Sequence, residues 1–129
     1  MKKLAAVLLS LASVPCLAEV KPGSFTSPSL GRDVPFVADL PPSYATGDKK
    51  YPVVYALHGL FEGSGFWERR GLAAILAGLR QSGAVPEFLV VAVDGGNSFY
   101  VNAPGGRYED LPGGRLEAPV GLLSTGSRL

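Results

Sequence analysis

The stretch Tyr51-Pro52-Val53-Val54-Tyr55-Ala56-Leu57-His58-Gly59-Leu60 decides the fold. Its centre, Val53 to Leu57, is an uninterrupted apolar run closed by Pro52 on one side and His58-Gly59 on the other. That length and β-branching predict a strand buried on both faces. A second such run, Phe88-Leu-Val-Val-Ala-Val93, stops at Asp94-Gly95-Gly96. Between the two, Leu72, Ile75, Leu76 and Leu79 fall at i, i+3, i+4 and i+7, the apolar stripe of a helix, and Gly83 is placed to cap its C-terminus. Strand, helix, strand is a βαβ unit, which predicts an α/β domain with a mostly parallel sheet. Ligands of such sheets bind outside the carboxyl ends of the strands, so residues 58–65 and 94–100 are expected on the functional rim.

Upstream, Val34, Phe36, Ala38 and Leu40 alternate through residues 32–40 and predict a half-buried strand. Pro41-Pro42 ends it, and residues 44–50 read as a polar connection. Residues 19–30 are rich in Pro, Ser and Gly, with only Val20, Phe25 and Leu30 apolar, and predict a loose lead-in without an element.

The extreme N-terminus has the make-up of a secretory signal peptide: Lys2 and Lys3, the apolar run from Leu4 to Leu17, and the ending Cys16-Leu17-Ala18. Cleavage is expected after Ala18. The run is shorter than the about 20 apolar residues that a permanent membrane helix needs. A lipid on Cys16 is the rival reading, disfavoured by Pro15 just before it. The expected organisation is therefore a signal peptide at residues 1–18, a domain at 19–110 and a tail at 111–129. Cleavage leaves 129 − 18 = 111 residues without cysteine, so no internal disulfide is expected. Two of the twelve Lys and Arg leave with the signal, giving a formal charge of 10 − 11 = −1 with the single His neutral. That balance argues against nucleic acid or an anionic membrane as partner.

Residues 51–60 resemble the strand and oxyanion loop of α/β-hydrolases, where His-Gly follows a buried strand and opens the active site. With Asp94-Gly95-Gly96-Asn97-Ser98-Phe99-Tyr100 after the second strand, and Leu40-Pro41-Pro42-Ser43-Tyr44 before the first, the chain resembles the esterase D branch of that fold. Feruloyl esterases and S-formylglutathione hydrolases belong to that branch. The resemblance runs from about Ser29 to Asp110. It implies an incomplete α/β-hydrolase fold whose C-terminal half is missing, acting on a small-molecule ester. It also implies that the backbone N–H of Leu60 serves as an oxyanion donor, in a loop shaped by His58 and Gly59. Asn97, Ser98, Phe99 and Tyr100 then line the substrate pocket; equally, they form an aromatic plug with Asn97 and Ser98 capping a turn. Glu62, Trp67, Glu68, Arg69 and Arg70 read either as a specificity rim or as a packed Trp beside solvated charges.

A serine hydrolase needs G-x-S-x-G followed by an acid and a histidine. Gly63-Ser64-Gly65, Gly96-Asn97-Ser98 and Gly126-Ser127 all fail that spelling, and His58, the only histidine, precedes the nucleophile's place. One histidine and no mature cysteine also leave no usual zinc site or thiol nucleophile, and neither metal nor cofactor is expected. Two functions remain: the N-terminal part of a secreted carboxylic-ester hydrolase that is catalytically incomplete as it stands, or a secreted non-catalytic binding module with a hydrolase-like pocket. A partner chain supplying the missing strands is a third possibility. Residues 111–129 carry Pro-Gly-Gly, Ala-Pro and no aromatic residue where the family continues into a helix, so they are expected to be a non-native or disordered tail. The oligomeric state is not legible.

Overall fold

The computed structural model describes residues 18–46 and 49–108. Residues 1–17 of the expected signal peptide and the whole expected tail therefore lie outside the described residues. A four-stranded sheet is built from β1 (Glu19–Ser27), β2 (Arg32–Leu40), β3 (Val53–Leu57) and β4 (Leu89–Val93), in the order β1-β2-β4-β3. A 3-10 helix, Pro42–Thr46, follows β2, and the helices α1 (Phe66–Arg69) and α2 (Leu72–Gln81) connect β3 to β4.

The α/β fold and its βαβ unit are as the sequence predicts. β3 and β4 run parallel with Val53 opposite Leu89 and Leu57 opposite Val93. The sheet as a whole is mixed rather than mostly parallel among the described residues, because β2 pairs antiparallel with both β1 and β4. For the β1–β2 pair the cause is local: the two strands are joined by a tight turn, with the Gly31 N–H on the Ser27 carbonyl at 2.8 Å. A connection that short permits only an antiparallel pair.

β1 itself is a correction, since no element is expected at residues 19–30. Its Pro and Gly content is tolerated because it is the outer strand on its side of the sheet, where Pro removes no needed ladder donor. Gly23 has a packing reason as well: a Cβ there would lie 2.5 Å from the Phe36 ring, which occupies the space over the strand. Val20 and Phe25 pack on opposite faces, each against a cluster of buried residues.

β2 is also more buried than predicted. Val34, Phe36, Ala38 and Leu40 face one cluster with Leu89, Val91 and Val93. On the opposite face, Val37 joins Phe66 and Ala92 beneath the helical crossover, and Asp39 is buried too. Burying each Val, Leu or Phe among them contributes about 1.5–3 kcal/mol.

Asp39 is compensated by α2. Its carboxylate pairs with the buried Arg80 guanidinium and accepts a 2.7 Å hydrogen bond from Trp67 Nε1. Arg80 Nη2 donates to the Phe88 carbonyl at 2.7 Å. Trp67 is thus a packing and hydrogen-bonding residue under the crossover.

α2 ends as predicted. Gly83 is left-handed (φ +71°), its N–H donates to the Arg80 carbonyl, and the Ala84 N–H reaches back to Leu79, the paired bonds of a Schellman cap. The predicted stripe is only half used. Leu76 is buried, while Ile75 is 60% and Leu79 40% exposed. β3 is the outer strand on its own side of the sheet, and Val54 and Leu57 are likewise exposed. Among the described residues these four are only partly covered, at 40–60% exposure.

Candidate active site

Because β3 and β4 are parallel and end together, Leu57 opposite Val93, the chain leaves both strands at one edge and the two predicted rim segments emerge side by side. His58 joins them. Its ring is buried, with Nε2 accepting the Gly95 N–H at 3.1 Å and Nδ1 2.8 Å from the Gly59 carbonyl. A backbone N–H can only donate, so Nε2 must be the acceptor and the proton resides on Nδ1, which donates to Gly59. Asp94 Oδ1 lies 3.6 Å from Nε2, but it accepts the Gly96 N–H at 2.9 Å. Both ring nitrogens are thereby engaged in holding backbone, and the ring packs edge-on against Phe66 and Tyr100.

Tyr100 fastens the same junction from the other side. Its hydroxyl donates to the Val93 carbonyl at 3.0 Å and accepts the His58 N–H at 3.3 Å. Burial pushes the phenol above its ordinary value, outweighing the opposing effect of the His58 and Gly95 backbone hydrogen bonds. The ring lies where a Cβ of residue 95 would be, which requires glycine there.

The loop after His58 is a β-turn from Gly59 to Glu62, closed by the Glu62 N–H on the Gly59 carbonyl at 3.2 Å. Phe61, third in the turn, sits at φ +62° with its side chain 82% exposed. Left-handed backbone costs a non-glycine residue about 1–2 kcal/mol. Two side chains secure the turn. Glu62 Oε2 accepts the Gly59 N–H at 3.2 Å, while its Oε1 accepts from Arg70 Nε at 3.0 Å, with Arg69 Nη2 at 3.6 Å. The hydrogen bond from Arg70 holds the Glu62 carboxyl below the usual carboxylate range. Asn97 Oδ1, from the segment after β4, accepts the Phe61 N–H at 2.8 Å.

The N–H groups of His58, Gly59, Phe61 and Glu62 thus all have acceptors. That of Leu60 has none among the described residues, and Leu60 is partly exposed. A backbone donor left open on an exposed residue, among four satisfied neighbours, is suited to receive an anionic oxygen at little cost in reorganisation.

The remaining predicted residues divide. Ser98 Oγ accepts the Tyr100 N–H at 3.1 Å, the local turn cap. Asn97 does not cap locally but reaches across to residue 61, and Tyr100 holds backbone. Phe99 is 72% exposed at φ +52°. Glu62 anchors the turn, whereas Arg69 and Arg70 remain largely exposed.

A family model described as "Putative esterase" matches residues 27–117, and 91 of 129 residues is more than half of the sequence. The chain belongs to this esterase family. A ferulic acid esterase is 26% identical to it, with a TM-score of 0.70 over 81% of this esterase-family chain and 43% of its own. A ferulic acid esterase from Anaeromyces mucronatus, solved with ferulic acid, is 29% identical, with a TM-score of 0.56 over 68% and 31%. An S-formylglutathione hydrolase from Agrobacterium tumefaciens shares the fold, with 19% identity and a TM-score of 0.56 over 87% and 46%. None of the curated proteins matches the chain. The esterase chain therefore spans less than half the length of these solved structures and corresponds to part of an α/β-hydrolase of esterase D type, as its sequence resemblance implies.

Sequence reasoning missed the tethers. Glu62 and Asn97 act over a hydrogen bond each, and no periodicity marks such pairs. The Asp39–Arg80 pair did leave a trace: a carboxylate inside a strand pattern and an arginine at the end of an apolar helix.

Proposed function

We propose that this chain is the N-terminal section of a secreted carboxylic-ester hydrolase, and that the Leu60 N–H receives the oxyanion formed when a serine attacks the ester carbonyl. The observation that carries the reading is the pattern of the turn, in which every neighbouring N–H is satisfied and that of Leu60 is open. A single donor of this kind contributes about 2.7–4 kcal/mol to lowering the barrier.

His58 serves here as a structural tie and not as the general base, since both nitrogens are committed to backbone. The nucleophile, acid and base come from polypeptide outside these 129 residues, because G-x-S-x-G does not occur in them and there is no second histidine. Leu60, Phe61 and Phe99 give the rim an apolar surface suited to a small ester. Export rests on Lys2, Lys3 and the apolar run to Ala18.

The test is an assay of the exported product, recovered from the periplasm or medium and shown by mass spectrometry to begin at Glu19. It is expected to hydrolyse short aryl esters no faster than a matched blank, since an oxyanion donor without a nucleophile leaves only a small residual effect. Hydrolysis abolished by Ser64→Ala or Ser98→Ala, or a product still beginning at Met1, would contradict the reading.

A further inference from the structure

We propose that Asn97 is a positioning residue of the oxyanion loop, fixing the orientation of the Leu60–Phe61 peptide beside the open Leu60 N–H. The inference rests on the role given to Leu60 above.

Positive φ at the third residue alone is the signature of a type II turn, which favours glycine or asparagine there. Phe61 is the third residue, and Leu60, the second, is not among the positive-φ positions. The competing type I turn is reached by flipping the peptide between the second and third residues. That flip would relieve the left-handed strain at Phe61 and reverse a peptide dipole immediately beside the Leu60 N–H.

Burial does not oppose the flip, because the Phe61 side chain is almost wholly exposed. The closing bond from the Glu62 N–H to Gly59 does not oppose it either, since both turn types contain it. The N–H of Phe61 belongs to the peptide that flips, and Asn97 Oδ1 holds it at 2.8 Å. Asn97 comes from the segment after β4, a different strand from the loop it secures. It is exposed, so its side chain adds little to the core. These features separate a positioning role from a packing role.

The experiment is nuclear magnetic resonance on the full chain at low concentration, following the residue 61 amide and its nuclear Overhauser contact with Leu60 Hα. That contact is strong in a type II turn. Asn97→Ala is expected to weaken it and to speed amide exchange at residue 61 about tenfold. The thermal midpoint should stay nearly unchanged. Asn97→Asp, which keeps the acceptor, should restore both signals. In a Phe61→Gly background, where the left-handed turn carries no strain, Asn97→Ala should leave the turn as it is.

An unchanged contact and exchange rate in Asn97→Ala alone would overturn the proposal. So would equal effects of Asn97→Ala with and without the Phe61→Gly substitution. Titration with ferulate carboxylate tests the separate reading of Leu60: a Leu60 amide that ignores the anion removes that reading, while the dependence of the turn on Asn97 remains measurable.

Discussion

Phe61, Phe99 and Tyr100 all adopt positive φ, and strained backbone of this kind persists only where surrounding contacts over-determine it. At Tyr100 the contacts are its hydroxyl bonds to Val93 and His58; at Phe61 they are the tethers from Glu62 and Asn97. The Glu62 tether is pH-dependent. Its carboxyl has an ordinary value of 4.5 and is lowered in the folded chain, first by the Arg70 hydrogen bond. A depressed folded value means that its stabilising contribution is present above about pH 4.5 and is lost as pH falls through the lower value. The Glu62 carboxyl carbon, followed by nuclear magnetic resonance, should therefore titrate below 4.5, with Arg70→Ala moving the midpoint upward. A midpoint at or above 4.5 in the unaltered chain would remove Arg70 as the organiser of this side chain.

At the level of elements, the crossover is pinned by charge as well as by apolar contact. Asp39 on β2 and Arg80 on α2 are both buried, so removing one strands the other in a poorly solvated place. Arg80→Met is expected to destabilise the domain by about 3–5 kcal/mol, whereas replacing both partners with apolar residues of similar volume should cost much less. Urea unfolding of the single and double variants measures this; a loss under about 1 kcal/mol for Arg80→Met would show the pair to be dispensable. The elements differ in how far the sequence announces them. β3, β4 and α2 were legible because each carries an unbroken apolar run or a 3.6-residue period. β1 was not, since Val20 and Phe25 fall on opposite faces and show no alternation, Pro22 and Gly23 are poor strand formers, and only pairing with β2 makes it a strand. The second buried face of β2 was hidden for a related reason: Asp39 reads as solvated until Arg80 and Trp67 are seen beside it.

For the whole molecule, the family was legible from three short segments, residues 40–44, 51–60 and 94–100, because the hydrolase rim depends on turn chemistry that few residue types satisfy. The roles within the rim were less so. In sequence Asn97 and Tyr100 read equally as pocket wall or as plug and cap; in the fold both hold backbone, which depends on distances across the sheet. The exposed side chains of Val54 and Leu57 leave apolar surface on β3, where the strand order ends, and those of Ile75 and Leu79 leave more on α2. That surface fits the proposal of a larger hydrolase sheet, as does the 43% of the ferulic acid esterase that the chain spans. The most direct measurement is the nucleotide sequence that follows the Leu129 codon. It should encode, in one of its three forward frames, a periodic apolar helix and then G-x-S-x-G, with an acid and a histidine further on. A downstream sequence with no such spelling over the length that the relatives still require would contradict the esterase reading and favour a non-catalytic binding module.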